Sequence, residues 1–126
     1  MQLNPDCIRA VLLYAEENAE TDAPWDVPID GTSAIPEFSA REIRYHVDQC
    51  VAAAYLVPGE EWITGDLEIL GLSPSGHQAL SAIKNATIHK KAKHEWLSKV
   101  RDGLISASIT QFVSLAAEIS KNALLP

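Results

Sequence analysis

Apolar residues recur along the chain in rhythms that change several times. Ile8, Val11, Leu12 and Ala15 follow one another at i, i+3, i+4 and i+7, which makes a single stripe on a helix. Asn4-Pro5-Asp6 stands just before that stripe. Asn caps a helix, Pro presets the first helical turn, and Asp complements the positive end of the dipole. Glu16, Glu17 and Glu20 mark a solvated exit, and residues 21–38, with three prolines and four acidic residues, read as a loop with a short strand expected at Val27–Ile29. Ser39-Ala40-Arg41-Glu42 is a capping box that opens a second helix. That helix puts Ile43, Val47, Cys50, Val51 and Ala54 on one face and Arg41, Arg44, Tyr45 and Asp48 on the other.

Beyond it the pattern predicts two strands, Leu56-Val57 and Leu67–Leu72. Pro58-Gly59 and Thr64-Gly65-Asp66 supply turn chemistry between them, with Trp62 and Ile63 in the connection. Ser73-Pro74 starts a third helix whose apolar face is Ala79, Leu80 and Ile83. A basic helix is expected at about 86–101, where Ile88, Ala92, Trp96 and Val100 are spaced four apart and Asp102-Gly103 breaks it. In the last helix Ile105, Ile109, Phe112, Ala116, Ile119 and Ala123 alternate spacings of four and three, a heptad seam, with Leu104 and Leu115 off it. The seam is too short to establish a coiled coil. Packing on its own domain and homodimerisation through the C-terminal helix stand as equal expectations.

The predicted architecture is mainly α with a small β-wing: a winged helix-turn-helix-like core over residues 1–85, followed by a C-terminal helical extension over 86–126. Helix, helix, strand, loop, strand is the winged-helix order, although the usual positioning helix before the second helix has no clear counterpart. The 126 residues suit one domain with a helical appendage, and 47% hydrophobic with 21% charged residues is a globular balance. No apolar run approaches the roughly 20 residues needed to cross a bilayer, and no basic segment leads into an apolar core at the N-terminus. A cytoplasmic protein with no membrane partner is therefore expected, with Cys7 and Cys50 as reduced thiols.

Charge changes the functional picture more than composition does. Residues 1–83 carry three basic and fourteen acidic side chains, a balance of −11, whereas residues 84–126 carry seven basic and three acidic, a balance of +4. An acidic body repels a phosphate backbone, so a DNA contact would have to use the arginines near position 42 or the basic stretch after Lys84.

Three blocks in order resemble a known family. They are Leu3-Asn4-Pro5-Asp6-Cys7-Ile8-Arg9 with Val11-Leu12-Leu13-Tyr14 and Glu16-Glu17-Asn18; Tyr45-His46, Gln49-Cys50 and Ala53-Ala54-Tyr55-Leu56; and Leu72-Ser73-Pro74, Gly76-His77, Leu80 and Ile83. The sequence is similar to the bacterial and prophage family known as domain of unknown function 2513. The resemblance implies a winged-helix-like core followed by C-terminal helices, and an origin in bacterial or phage genomes. It implies no activity. The chain departs from the family at Ala54, where glycine is frequent, and between Glu17 and Ser39, a stretch shorter and more acidic than the family's. The second departure bears on the positioning helix and hence on DNA docking.

His46, His77, His89 and His94 include no i, i+4 pair, HExxH or cysteine cluster, so no metal and no cofactor are expected. His46 is expected to be buried and hydrogen-bonded to backbone or to a neighbouring carboxylate. His77 is expected to pack between the third helix and the first, where it could meet His46. There is no GxSxG elbow, and Gly71-Leu72-Ser73-Pro74-Ser75-Gly76 lacks a phosphate-loop Lys, so no catalytic residue is named and an enzyme is not expected.

Two binding hypotheses remain. The first is a DNA-binding accessory or regulatory protein, reading the groove with Arg41, Arg44 and Tyr45 and holding phosphates with Lys90, Lys91, Lys93 and Lys99. The second is a protein-interaction module that keeps the winged-helix shape, with an interface at Ile105, Ile109, Phe112, Ala116, Ile119 and Trp62. Trp96 is assigned to the core. Trp62, at a wing tip, marks either a fold-back contact or an interface.

Overall fold

The computed structural model describes residues 1–123. Among them the chain forms α1 (Pro5–Asn18), β1 (Trp25–Val27), α2 (Ala40–Ala52), β2 (Leu56–Glu61), β3 (Leu67–Leu72), α3 (Pro74–Ile83), α4 (Ala86–Arg101) and α5 (Ile109–Ala123). The fold is mainly α with a small antiparallel sheet of strand order β1-β3-β2.

Side-chain caps set the helix starts. The Asn4 carboxamide accepts from the Asp6 amide at 3.0 Å. At α2 the Ser39 hydroxyl accepts from the Glu42 amide at 3.1 Å while the Glu42 carboxylate accepts from the Ser39 amide at 3.2 Å, the reciprocal bonds of a capping box. Asn85 caps α4 by accepting from the amides of Thr87 and Ile88.

The sheet corrects two local expectations. The first strand forms at Trp25–Val27 and not at Val27–Ile29. Trp25 and Val27 bury themselves while Asp26 faces out, and Pro28 offers no amide to extend the ladder. Pro58-Gly59 lies within β2, where the pairing with β3 slips on both sides of Pro58. The reversal is made by the second turn cluster alone: the Trp62 amide donates to the Asp66 carbonyl and the Gly65 amide to the Trp62 carbonyl, both at 2.8 Å. Gly65 takes a φ of +95°, which an L side chain rarely adopts.

The exit from α2 is a second special junction. Ala54 adopts φ +64°, a left-handed conformation usually left to glycine, and this is the position where the family resemblance supplies glycine. It therefore ends the helix in an exposed turn and does not extend the buried face. The Ser73 hydroxyl donates to the Ala54 carbonyl and accepts from the Gly76 amide, so one side chain both caps α3 and holds the turn. A Cβ on Gly76 would lie 1.9 Å from the Tyr55 carbonyl oxygen, so only glycine permits this approach.

One hydrophobic core joins all the helices. Ile8, Val11, Leu12 and Ala15 of α1 meet Ile43, Val47 and Cys50 of α2, Val27 and Ile69 of the sheet, and Leu80 and Ile83 of α3. Ala92 and Trp96 of α4 and Phe112 and Ala116 of α5 belong to the same cluster, so burial runs across the expected division at residue 85. The heptad seam is thus internal. Ile109, Phe112 and Ala116 are buried in the chain's own core, and Ile105 and Ile119 are packed against its edge. Phe112 has no exposed surface and meets Trp96 and His89 edge-on, at centroid distances of 5.9 and 5.6 Å. Leu115, off the seam, is buried as well, which makes the apolar strip wider than a coiled-coil seam and typical of a helix packed on a globular body. The expectation of a dimer interface is corrected for Ile109, Phe112 and Ala116, which the chain's own core covers. The side chain of Ala123, the last expected seam position, lies outside the described residues.

Candidate interaction surface

The second helix turns its principal arginine inward. Arg44 retains only 12% of its side-chain exposure. Its guanidinium donates to the Asp48 carboxylate at 3.0 Å, the Glu61 carboxylate at 2.9 Å and the Gly65 carbonyl at 2.5 Å, with a longer bond to the Val27 carbonyl at 3.4 Å. One side chain on α2 therefore clamps β1, the end of β2 and the turn. Its donors are spent within the fold, which removes Arg44 from the expected groove-reading set. Arg41 is exposed and lies 3.8 Å from the Asp30 carboxylate. Tyr45 is half-buried and lines a cleft with Leu3, Trp96, Leu97 and Val100.

The basic residues of the fourth helix divide in the same way. Lys93 pairs with Asp6 at 2.5 Å, and Lys99 with Glu95 at 3.1 Å. Lys90 and Lys91 are exposed and enter no ion pair among the described residues. With Thr87, His94, Glu95 and Ser98 they make up the outer face of α4.

Buried polar groups tie the helices together. His46 is 1% exposed; its Nε2 accepts from the Asn4 amide at 2.8 Å and its Nδ1 lies 2.7 Å from the Glu42 carbonyl. An acceptor at Nε2 requires the proton at Nδ1, so the ring is neutral and both nitrogens are satisfied. Burial holds its pKa below the ordinary value, with the bond to Glu42 opposing in part. His77 is exposed, so it neither packs between α3 and α1 nor meets His46. His89, which the pattern left unplaced, is buried and bonds through Nε2 to Asp6 at 2.9 Å. Burial alone would raise the Asp6 pKa, but hydrogen bonds from Lys93 and His89 outweigh it and hold the carboxyl below the usual range. Cys7 and Cys50 are free and buried, and burial pushes Cys7 up to about 12 and Cys50 higher. Such thiols are poor nucleophiles. No cluster of three or more His, Cys, Asp or Glu side chains is placed to hold a metal ion among the described residues. No described helix is long and apolar enough to cross a membrane.

The hairpin tip is the conspicuous surface. Ile63 is fully exposed, at 107% of its reference area, and Trp62 beside it is 48% exposed. Ile29, also exposed, packs under the turn at Gly65. Glu60, Glu61, Asp66 and Glu68 lie on either side of this apolar point along the hairpin, with Glu61 paired to Arg44 and the Glu68 carboxylate accepting from the Glu60 amide. Trp62 was in the expected interface set, whereas Ile63 and Ile29 were not. The available signal was two large apolar residues running directly into Thr64-Gly65-Asp66, where a hairpin turn forces side chains into solvent.

The family model described as hypothetical protein (DUF2513) matches residues 2–102. The chain belongs to this family. The DUF2513 match takes in α1 through α4, including the inward arginine, the hairpin tip and the basic face of α4, and ends before α5. No curated protein and no solved structure matches the chain.

Proposed function

We propose that this DUF2513 chain is a non-enzymatic protein-binding module of winged-helix-like plan, in an accessory or regulatory role, that docks through the tip of its β2–β3 hairpin. The inward turn of Arg44 carries the reading. In a DNA-reading winged helix the helix before the hairpin presents free donors to base edges, and the wing meets a phosphate backbone. Here the corresponding helix spends its best donor on the hairpin, and the hairpin is acidic and tipped by Trp62 and Ile63. An exposed pair of large apolar side chains at a projecting point fits insertion into a protein pocket, where aromatic anchors contribute most of the binding energy.

DNA binding is the second reading, and the unpaired Lys90 and Lys91 favour it. Titration of purified protein with random-sequence duplex DNA at low and moderate salt separates the two. The protein-binding reading expects no affinity even at low salt. Affinity that falls steeply with salt and is lost in Lys90→Ala/Lys91→Ala would instead favour backbone contact through α4.

A further inference from the structure

We propose that the cleft between α2 and α4 binds a small amphipathic acid, an apolar body that carries one carboxylate. The cleft is concave and walled by four parts of the chain. They are Leu3 in the segment before α1, Tyr45 of α2, Trp96, Leu97 and Val100 of α4, and Ala107 in the connection to α5. Bonds outside the cleft fix these walls. The Asn4 amide donates to His46 Nε2 at 2.8 Å, which ties the leading segment to α2. The amides of Gly103 and Leu104 donate to the Val100 and Lys99 carbonyls at 3.1 and 2.8 Å, which hold the end of α4. The volume of about 340 Å³ lies within the range of roughly 300–1,000 Å³ usual for small-molecule sites.

The lining sets the chemistry of the ligand. No charged side chain belongs to it, and Leu3, Trp96, Leu97 and Val100 make it largely apolar, so the body of the ligand is apolar. Trp96 is only 3% exposed, yet its Nε1 has no hydrogen-bond partner among the described residues. An indole N–H can only donate, and a buried one normally finds an acceptor. The Phe112 ring, edge-on to Trp96 at 5.9 Å, has no acceptor atom to offer. Tyr45 adds a second hydrogen-bonding group, its hydroxyl, from α2. A ligand that completes the site therefore brings an acceptor oxygen. A carboxylate is the strongest such acceptor. Arg41, one turn before Tyr45, and Arg101, one turn after Leu97, are both exposed and held only in long pairs, with Asp30 at 3.8 Å and Asp102 at 3.6 Å. With the balance of +4 over residues 84–126, they favour an anionic head group over a cationic one.

The test uses the full chain, with octanoate and octylamine as probes, which share an eight-carbon body and differ in the head group. Triple-resonance NMR on labelled protein assigns the indole N–H signals of Trp25, Trp62 and Trp96. Octanoate is expected to move the Trp96 signal downfield in a saturable manner while that of Trp62 stays in place. Calorimetry is expected to find octylamine at least about tenfold weaker than octanoate. Leu97→Glu places a like charge on the exposed rim of the cleft and is expected to weaken octanoate by about tenfold or more. Circular dichroism checks that this variant is folded, and Leu97→Ala, which adds no charge, is expected to bind octanoate more tightly than Leu97→Glu does.

A Trp96 signal that does not move at millimolar octanoate overturns the proposal. So does octylamine binding as tightly as octanoate, or a folded Leu97→Glu that keeps the wild-type affinity. None of these outcomes touches the hairpin tip, whose role toward proteins is tested separately.

Discussion

The C-terminal seam and the hairpin tip are both apolar candidates for an interface, and the structure separates them. The seam is the most regular pattern in the chain, yet Phe112 at its centre is wholly buried against Trp96 and His89 of the same molecule. The tip has no period, only Trp62 and Ile63 next to a turn, and there Ile63 is fully exposed and Trp62 about half so. Periodicity reports that a helix has one buried stripe and is silent about whose surface covers it. A large apolar residue in a tight turn is more informative, because turn geometry gives it little of its own chain to lie against.

The largest effect expected from breaking this contrast is at Phe112. Phe112→Ala should cost about 3–5 kcal/mol in denaturant unfolding, the cost of a large cavity in a closed core. If the seam faced a partner instead, the monomer would lose far less. Arg44→Ala comes next, at about 1–3 kcal/mol, because it leaves the Gly65 carbonyl and two carboxylates without their donor. Loosened protection of the hairpin amides in hydrogen exchange would show that the arginine serves the fold.

The pH profile sharpens the view of the interior. Folding lowers the His46 pKa from 6.5, so between that value and the folded one the unfolded chain binds more protons, and stability falls as pH drops below 6.5. Asp6, also lowered in the fold from 3.8, adds a second loss below that pH. Thermal melts at pH 7 and pH 5 should show the first loss, and His46→Gln should reduce it. Ala54→Gly is expected to stabilise the protein by about 1 kcal/mol by relieving a left-handed alanine, read as a raised melting temperature. Smallest of all, Ile63→Ser should change stability by no more than about 0.5 kcal/mol, because Ile63 is fully exposed. A large loss there would mean that the tip folds back onto its own chain.

Much of the fold was legible because its signals are local. Asn4-Pro5, the box at Ser39–Glu42 and Ser73-Pro74 fix three helix starts through bonds to neighbouring amides, and the fours of Ala92 and Trp96 place α4. Where the reading failed, the deciding partners are distant in sequence. Arg44 looked like a free helical arginine because Gly65 and Glu61 lie 21 and 17 residues away. Lys93 looked available because Asp6 is 87 residues away. His46 was legible in kind, as a buried hydrogen-bonded histidine, but its partner Asn4 was not. Among the DNA-contact candidates, long-range pairing is what separates Arg44 and Lys93 from Lys90 and Lys91.

The central claim, that the hairpin tip recognises protein, is tested most directly by selecting a displayed random-peptide library on the wild type and counter-screening on Trp62→Ser/Ile63→Ser. The account expects enriched peptides that combine apolar residues with flanking Lys or Arg and that lose binding to the tip variant. Failure to enrich any sequence, or enriched peptides that bind the tip variant equally well, would contradict it.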